Sequence, residues 1–259
     1  MKFNISILVI GILFFLVKVT FAYDKIVNSL LQFDFKTISL NSKMTENLLS
    51  KKLVSEANRK LSDLYKENTS CNENIFFPKC VDLIKEFSEI ISLNPNNRAS
   101  LTLKFYLGTC LVLSHESFYK DMTNWEKIIE KALTIFNSIS SEFPNTWEGK
   151  LSSTYNRNHF LAIIKNDVEN QVFELRKLIP IYRELEKDAG FIEYLKIFNI
   201  KNPVEISVRD ILIYKELELG HIEAAEQELK KVKGLKNVTE HVLSRLEREI
   251  ERAKQKKSR

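Results

Sequence analysis

The residues of this sequence that could do chemistry are few and dispersed. Its four histidines are His115, His159, His221 and His241. None has a second histidine four residues away with a glutamate between them, which is the pattern of a helical zinc site. His115 and Glu116 would form an acid–base pair only if both faced one cleft, but adjacent residues on a helix point about 100° apart. The histidines therefore predict a solvated helix surface and no metal, with an enzyme using His115 and Glu116 as an alternative.

Other chemical motifs are missing from the sequence. Six glycines in 259 residues leave little material for a phosphate-binding glycine loop or for the strained turn of a nucleophile elbow. The 39 basic and 34 acidic residues are interspersed, so the chain lacks the one-signed field that draws proteins onto nucleic acid. The sequence thus favours a protein that is not an enzyme, holds no cofactor and does not bind nucleic acid.

The three cysteines indicate one covalent crosslink. Cys71 and Cys80 flank an asparagine-rich stretch that contains Pro78, and this composition predicts a loop between two helices. We predict a disulfide between Cys71 and Cys80, because closing a ring of about ten residues stabilises a fold by about 2.5 to 3 kcal/mol in the chain-entropy description. Two unrelated thiols are the alternative. Cys110 lies in an apolar helix, where a cysteine typically packs as a small core residue.

The N-terminus predicts where the protein is located. An apolar run over Ile5–Val17 is followed by a segment, ending at Ala22, with small residues at the two positions that a signal peptidase reads. Lys18 ends the run short of the about 20 apolar residues that span a membrane. We predict a signal peptide over 1–22, cleavage between Ala22 and Tyr23, and a periplasmic or secreted protein. The alternative is an uncleaved anchor that holds the same domain on the noncytoplasmic side.

Two surface features have a functional and a structural interpretation. Asn68 and Asn237 begin glycosylation sequons in predicted loops, which matter only in a eukaryotic source. From Arg245 onward the chain has seven basic residues against three acidic ones. This basic tail could contact acidic lipid headgroups or an acidic partner, but a solvated helix end that complements the helix dipole is expected. Membrane contact is therefore predicted only through this tail or an uncleaved anchor.

Helices must position all these residues. Six glycines and five prolines in the whole chain argue against an all-β fold, which needs turn residues about every 8 to 12 positions. Apolar residues recur at spacings of three and four through Thr45–Glu67 and Asn158–Ile179, and Pro180 kinks or ends the second of these predicted helices. Further helices are predicted near 79–93, 98–119, 124–142, 204–219, 221–233 and 238–256.

The ends of two predicted helices share one sequence pattern. Five residues recur at a constant offset of 49 positions, and in each copy a proline follows the end of a helix that it cannot continue. The matching residues are Phe87, Ile90, Ser92, Pro95 and Asn96 in the first copy, and Phe136, Ile139, Ser141, Pro144 and Asn145 in the second. We interpret this as an internal repeat in which the aromatic residue and the isoleucine face the core, with coincidence among common helix-ending residues as the alternative.

The second copy resembles a unit of the tetratricopeptide repeat (TPR) family. That family's second helix has a small residue, an aromatic and another small residue before a closing proline; Ala132, Phe136 and Pro144 stand at these spacings, with bulky Ile139 in place of the usual alanine. Leu107-Gly108 resembles the leucine–glycine pair of the family's first helix. The 24 residues from Gly108 to Ala132 are about twice the family's spacing, which implies an insertion or a helix extension over 115–124.

A third, weaker copy lies near the C-terminus. Leu219-Gly220 is followed by Ala224, Ala225, Leu229 and Val232. By the same resemblance, Gly220 supplies the turn between two helices and Ala225 their close contact. This copy lacks the closing proline.

The resemblance implies an all-α, TPR-like α-solenoid of antiparallel helix pairs, with a generic α-helical bundle as the alternative. We expect a signal peptide, an N-terminal helical segment over 23–78 ending in the disulfide loop, and TPR-like repeats over 79–259. The implied function is an exported, noncatalytic scaffold that binds a protein or peptide in its groove. Possible groove contacts are Lys104, Tyr106 and His115. A structural or secreted effector-like bundle acting through its outer surface is the alternative function.

Overall fold

A computed structural model describes residues 40, 44–69, 73–115, 122–198, 200 and 203–257. The regular elements in these ranges are all α-helices, which confirms the predicted all-helical class. The predicted signal peptide and its cleavage position lie outside the described residues and stay predictions. The helices are α1 (Leu48–Thr69), α2 (Glu73–Leu93), α3 (Arg98–His115), α4 (Met122–Glu142), α5 (Trp147–Ser152), α6 (Arg157–Ile164), α7 (Val168–Leu185), α8 (Ala189–Ile197), α9 (Val204–Glu218), α10 (Ile222–Lys233) and α11 (Glu240–Lys257).

These helices belong to two compact units. The N-terminal unit contains the described residues as far as Tyr155, together with 193–198. The C-terminal unit contains 156–192 and the described residues from 200 onward. No helix in the described ranges combines the length and apolar character needed to cross a membrane.

Helix α3 is the centre of the N-terminal unit. It packs against α1, α2, α4 and α5, and its residues from Ala99 to Leu113 are all buried. A helix that is covered on every side has no need of a polar face, which explains why its sequence lacks a clear amphipathic stripe. Aromatic side chains pack around its Phe105, whose ring centroid lies 5.2 Å from that of Trp147 and 5.3 Å from that of Tyr194.

The repeated sequence corresponds to a repeated helix–turn–helix junction. Asn97 Oδ1 accepts the Ala99 N–H at 2.9 Å to begin α3, and Thr146 Oγ1 accepts the Gly149 N–H at 3.1 Å to begin α5. Such side-chain caps satisfy N–H groups that have no partner in the first turn of a helix. The backbone hydrogen bonds at the two junctions are also shifted by 49 residues: Asn94 to Ile90 and Phe143 to Ile139, then Asn97 to Asn94 and Thr146 to Phe143.

Helices α1, α3 and α5 begin side by side. The Thr45 N–H donates to the Asn96 carbonyl at 2.8 Å, and the Arg98 N–H donates to the Thr45 carbonyl at 2.9 Å, so the starts of α1 and α3 are joined. Arg98 in turn donates two hydrogen bonds, at 2.7 and 2.8 Å, to the buried carboxylate of Glu148 in α5. Helices α1, α3 and α5 are thereby joined to one another near their N-terminal ends.

Gly108 brings α3 and α4 close together. A Cβ atom placed on Gly108 would lie 2.8 Å from two ring carbons of Phe136, so only glycine fits. Phe136 and its repeat partner Phe87 are both buried, which confirms their prediction as core positions. Ile139 is also buried, whereas Ile90 is only partly so.

In the C-terminal unit, α9 packs against α7, α10 and α11. The α9–α10 turn has Gly220 in the left-handed region at a φ of 76°. The His221 N–H donates to the Glu216 carbonyl and the Gly220 N–H to the Leu217 carbonyl, which is a Schellman motif with glycine at the position that avoids a Cβ penalty. Gly220 therefore supplies the turn as predicted, and Ala225 is buried in the helix interface behind it.

One predicted helix is wrong in its bounds. The expected helix over Asn158–Ile179 is interrupted between α6 and α7, where Asn166 has a φ of 50° and Asp167 accepts the Asn170 N–H at 3.1 Å as the cap of α7. Helix α7 then continues through Pro180 to Leu185 instead of ending there. The apolar spacing continues across this break, so periodicity alone predicts one uninterrupted helix here.

The expected loop around the predicted disulfide is also wrong. Helix α2 begins at Glu73, so Pro78 and Cys80 lie within a helix. Cys71 lies outside the described residues. The Cys80 Sγ is buried and lies 3.4 Å from the Cys110 carbonyl oxygen on α3. The described residues contain no disulfide, so the Cys71–Cys80 pairing receives no support from the structure and stays a prediction.

Candidate binding cleft

The groove contacts predicted on α3 are not exposed. Lys104 and Tyr106 are both buried, because α3 is covered by its neighbours. The Tyr106 hydroxyl donates to Asn58 Oδ1 at 2.6 Å, and burial lowers the pKa of the Lys104 ammonium, opposed by the charge of Glu142. The prediction that these two residues contact a ligand from an exposed surface is therefore wrong. The side chain of His115 lies outside the described part of the structure.

The described residues contain no group of three or more histidine, cysteine, aspartate or glutamate side chains that could hold a metal ion. His221 is found at the start of α10, where its Nδ1 lies 3.1 Å from Glu216 Oε2. A pair of one histidine and one carboxylate is not by itself a catalytic site.

A cleft of about 400 Å³ opens in the C-terminal unit between α7, α9 and α10. Helix α7 contributes one face because Arg176, Ile179, Pro180 and Arg183 recur at spacings of three and four. Four of the nine lining residues are basic and one is acidic. The lining residues are Arg176, Ile179, Pro180, Arg183, Arg209, Ala224, Gln227, Glu228 and Lys231.

Buried carboxylates lie beneath exposed cations in this cleft. The side chains of Arg176, Arg183 and Lys231 are 53%, 57% and 54% exposed. Their partners Glu216, Glu205 and Glu228 are only 1%, 5% and 7% exposed. The cationic groups of these pairs therefore face solvent while their carboxylate partners lie below the surface.

Arg183 and Arg209 share the Glu205 carboxylate. Arg183 donates from Nε and Nη2 at 3.0 and 2.7 Å, which is the bidentate geometry of a strong charge-assisted pair. Arg209 donates to Glu205 Oε1 at 3.0 and 2.9 Å and reaches across to Glu228 with Nη1. The hydrogen bonds from Arg183 are the largest cause that lowers the pKa of Glu205, against its desolvation, and they raise the pKa of Arg183.

The other two exposed cations are fixed in the same way. Lys231 donates from Nζ to Glu228 Oε1 at 2.6 Å, and Arg176 pairs with Glu216. At the far end of the network, Glu186 Oε1 accepts the Glu205 N–H at 2.8 Å. Desolvation raises the pKa of Glu186, and this backbone hydrogen bond opposes the shift. The network thus ties α7, α9 and α10 together below the cleft.

Pro180 lies on the same face of α7. Proline has no N–H, so the carbonyl of Arg176, four residues earlier in α7, loses its helical donor. Phe173, 57% exposed, lies one turn before Arg176 on α7, and the Lys177 Nζ lies 3.9 Å from its ring centroid. Two lining cations and an exposed aromatic ring that lies outside the lining residues therefore occur on one face of α7.

These cleft residues are not among those predicted from the sequence. Arg176 and Arg183 are seven positions apart, so they lie on one face of α7, and Pro180 lies between them. This spacing is the sequence signal that could have indicated the cleft. The arrangement can bind anions but offers no activated nucleophile. Comparison with protein-family models, curated proteins and solved structures finds no significant match.

Proposed function

We propose that this protein is an exported, noncatalytic scaffold that binds a protein or peptide through the cleft between α7, α9 and α10. The supporting observation is the position of the charges, with exposed Arg176, Arg183 and Lys231 held by carboxylates that are buried beneath them. An ion pair that is exposed to solvent contributes little to the stability of a fold. A surface that orients cations toward solvent suits the recognition of a partner.

We also propose that the helix pairs form a TPR-like solenoid. The repeated capped junctions before α3 and α5 favour this proposal, as do the side-by-side starts of α1, α3 and α5 and the close approach at Gly108. Helix α3 is buried from Ala99 to Leu113 and offers no exposed face there, and we place the proposed binding surface at the cleft of the C-terminal unit.

Site-specific photocrosslinking in the native compartment tests the binding role. Gln227 lines the cleft and is exposed, so a benzoylphenylalanine at this position should crosslink the partner. Glu223 is also exposed on α10 but does not line the cleft, and the same probe there is the matched control. We expect one discrete adduct from position 227 and none from 223. Equal labelling from both positions, or adducts from neither, would contradict a cleft-centred scaffold.

Export is tested separately by mass measurement of the protein from the secreted or periplasmic fraction. We expect the chain to begin at Tyr23. An intact Met1 terminus in the membrane fraction would instead show the uncleaved anchor, and recovery of the whole protein from the cytoplasm would contradict export in either form.

A further inference from the structure

We infer that the cleft between α7, α9 and α10 binds an acidic, extended peptide segment whose side-chain carboxylates pair with Arg176, Arg183 and Lys231. This inference rests on the proposed function and names the chemical class of its ligand.

The first argument is charge complementarity. A guanidinium group has five N–H donors, and the bidentate contact of Arg183 with Glu205 uses two of them. Because the Arg183 side chain is more than half exposed, its remaining donors are open to a ligand. Lys231 has one bond to Glu228 and two further ammonium hydrogens. Carboxylates arriving from solvent therefore meet donors that are already oriented.

The second argument is preorganisation. Ordering long, flexible side chains at an interface lowers affinity. Here Glu205 and Glu228 hold the two cations in place before a ligand arrives, and Arg209 crosslinks the two acids. The buried carboxylates weaken the attraction of the site for an anionic ligand. They also lower the entropy lost on binding, because the cationic side chains are already ordered.

The third argument selects a peptide over a simple anion. Pro180 removes the helical N–H donor of the Arg176 carbonyl, and the N–H of an extended peptide can take the place of that donor. Phe173 adds an exposed aromatic contact for an apolar side chain. From Arg176 to Arg183 the helix rises about 10 Å, which corresponds to about three residues of an extended chain. One short acidic segment can therefore contact both arginines.

The test uses the full exported protein and a fluorescein-labelled probe followed by anisotropy. The probe is a peptide of about eight residues, long enough to span the cleft, rich in glutamate with one leucine. We expect it to bind at low ionic strength, with affinity falling steeply as salt screens the charges. The same peptide with glutamine in place of glutamate should bind at least about tenfold more weakly, since its charge-assisted hydrogen bonds are lost.

Two variants remove a cation without leaving a buried acid unpaired. In Arg183→Gln the carboxylate of Glu205 keeps Arg209, and in Lys231→Gln the carboxylate of Glu228 also keeps Arg209. Each should weaken peptide binding about two- to fivefold, the range for losing one solvent-exposed ion pair. The matched control is Lys230→Gln, an equal charge change on the exposed neighbour of Lys231 that does not line the cleft. It should leave affinity unchanged.

A third comparison separates binding from folding. Glu216→Gln breaks the buried pair with Arg176 but keeps the exposed cation, whereas Arg176→Gln breaks the same pair and removes the cation. With folding checked by circular dichroism, we expect Arg176→Gln to weaken binding and Glu216→Gln to maintain or strengthen it. Equal weakening by both variants would show a structural role for the pair and overturn the inference.

Other outcomes decide the ligand class. Tighter binding of a phosphoserine peptide, of inorganic phosphate or of phosphatidylserine vesicles than of the acidic peptide would overturn the inference. So would equal loss in the Lys230→Gln and Lys231→Gln variants. If position 227 crosslinks a partner and the acidic peptide does not compete with that partner, this inference fails while the proposed function stands. If no partner crosslinks at 227, the proposed function fails first.

Discussion

Replacing Gly108 with alanine should reverse the usual effect of this substitution in a helix. Alanine is favoured over glycine in a helix interior by about 0.8 to 1.0 kcal/mol. At Gly108, however, the added Cβ would lie 2.8 Å from two ring carbons of Phe136, where carbon atoms prefer about 3.5 to 4.0 Å. The ring cannot move alone, because it is stacked on Tyr155 with centroids 4.2 Å apart and planes 13° from parallel.

The magnitude follows from these opposing effects. Overpacking a rigid core costs about 1 to 3 kcal/mol, and the fixed ring places Gly108→Ala in the upper part of this range. After the gain in helix propensity is included, we expect the variant to destabilise the N-terminal unit by about 1 to 2 kcal/mol. Phe136→Ala alone should cost about 3 to 5 kcal/mol. In that background the clash is absent, so adding Gly108→Ala should instead stabilise the unit by about 1 kcal/mol.

Urea unfolding followed by tryptophan fluorescence measures this cycle. Both tryptophans, Trp125 and Trp147, belong to the N-terminal unit, so their emission reports the unit that contains Gly108. Gly234→Ala is the matched control, because the nearest atom to its Cβ would be 3.4 Å away and it lies in the other unit. A stabilising Gly108→Ala in the wild-type chain, or equal effects in both backgrounds, would refute the close approach of α3 and α4.

Three further outcomes are expected. Gly149→Ala should destabilise the N-terminal unit by at least about 2 kcal/mol in the same assay, because its Cβ would lie 1.9 Å from the backbone oxygen of Phe143; an unchanged midpoint would contradict the junction. Burial lowers the pKa of Lys104 from 10.5, so the unfolded chain binds its proton more readily and stability should rise with pH between the lowered value and 10.5. Lys104→Met should remove that rise, and a persistent rise would assign it to other groups. Nonreducing peptide mapping of the exported protein should recover Cys71 linked to Cys80 and the third cysteine alkylated, whereas a link to the third cysteine would disprove the pairing.

Helix positions were predictable because local signals agreed with the apolar spacing. The expected helices near 98–119 and 124–142 correspond to α3 and α4, and the Pro144 junction that follows α4 was visible as a repeated motif. Gly220 was identified because only glycine readily adopts the left-handed conformation that this turn requires. Short helices were missed for the opposite reason. Helix α5 spans only Trp147–Ser152, too few residues for periodicity to show.

Exposure was harder to predict than helix position. Lys104 and Tyr106 are polar at one end, and in a surface helix they would mark the solvated face. In α3 both are buried because four neighbouring helices surround it, which depends on tertiary contacts that apolar periodicity does not report. The same limit applies to the cleft, since Arg183, Glu205 and Glu228 come from three helices and nothing local in the sequence indicates that they meet.

Arg209 explains how one network can stabilise the fold and still present charge. It is itself buried, and it pairs with Glu205 on its own helix and with Glu228 on α10. Removing it would leave two buried carboxylates undercompensated, which is strongly destabilising. Removing Arg183 or Lys231 leaves each carboxylate with Arg209. Arg209 therefore stabilises the fold, whereas Arg183 and Lys231 can be replaced without unfolding the protein. A folded Arg183→Gln variant with weaker ligand binding, beside an unfolded Arg209→Gln variant, would display this division of roles directly.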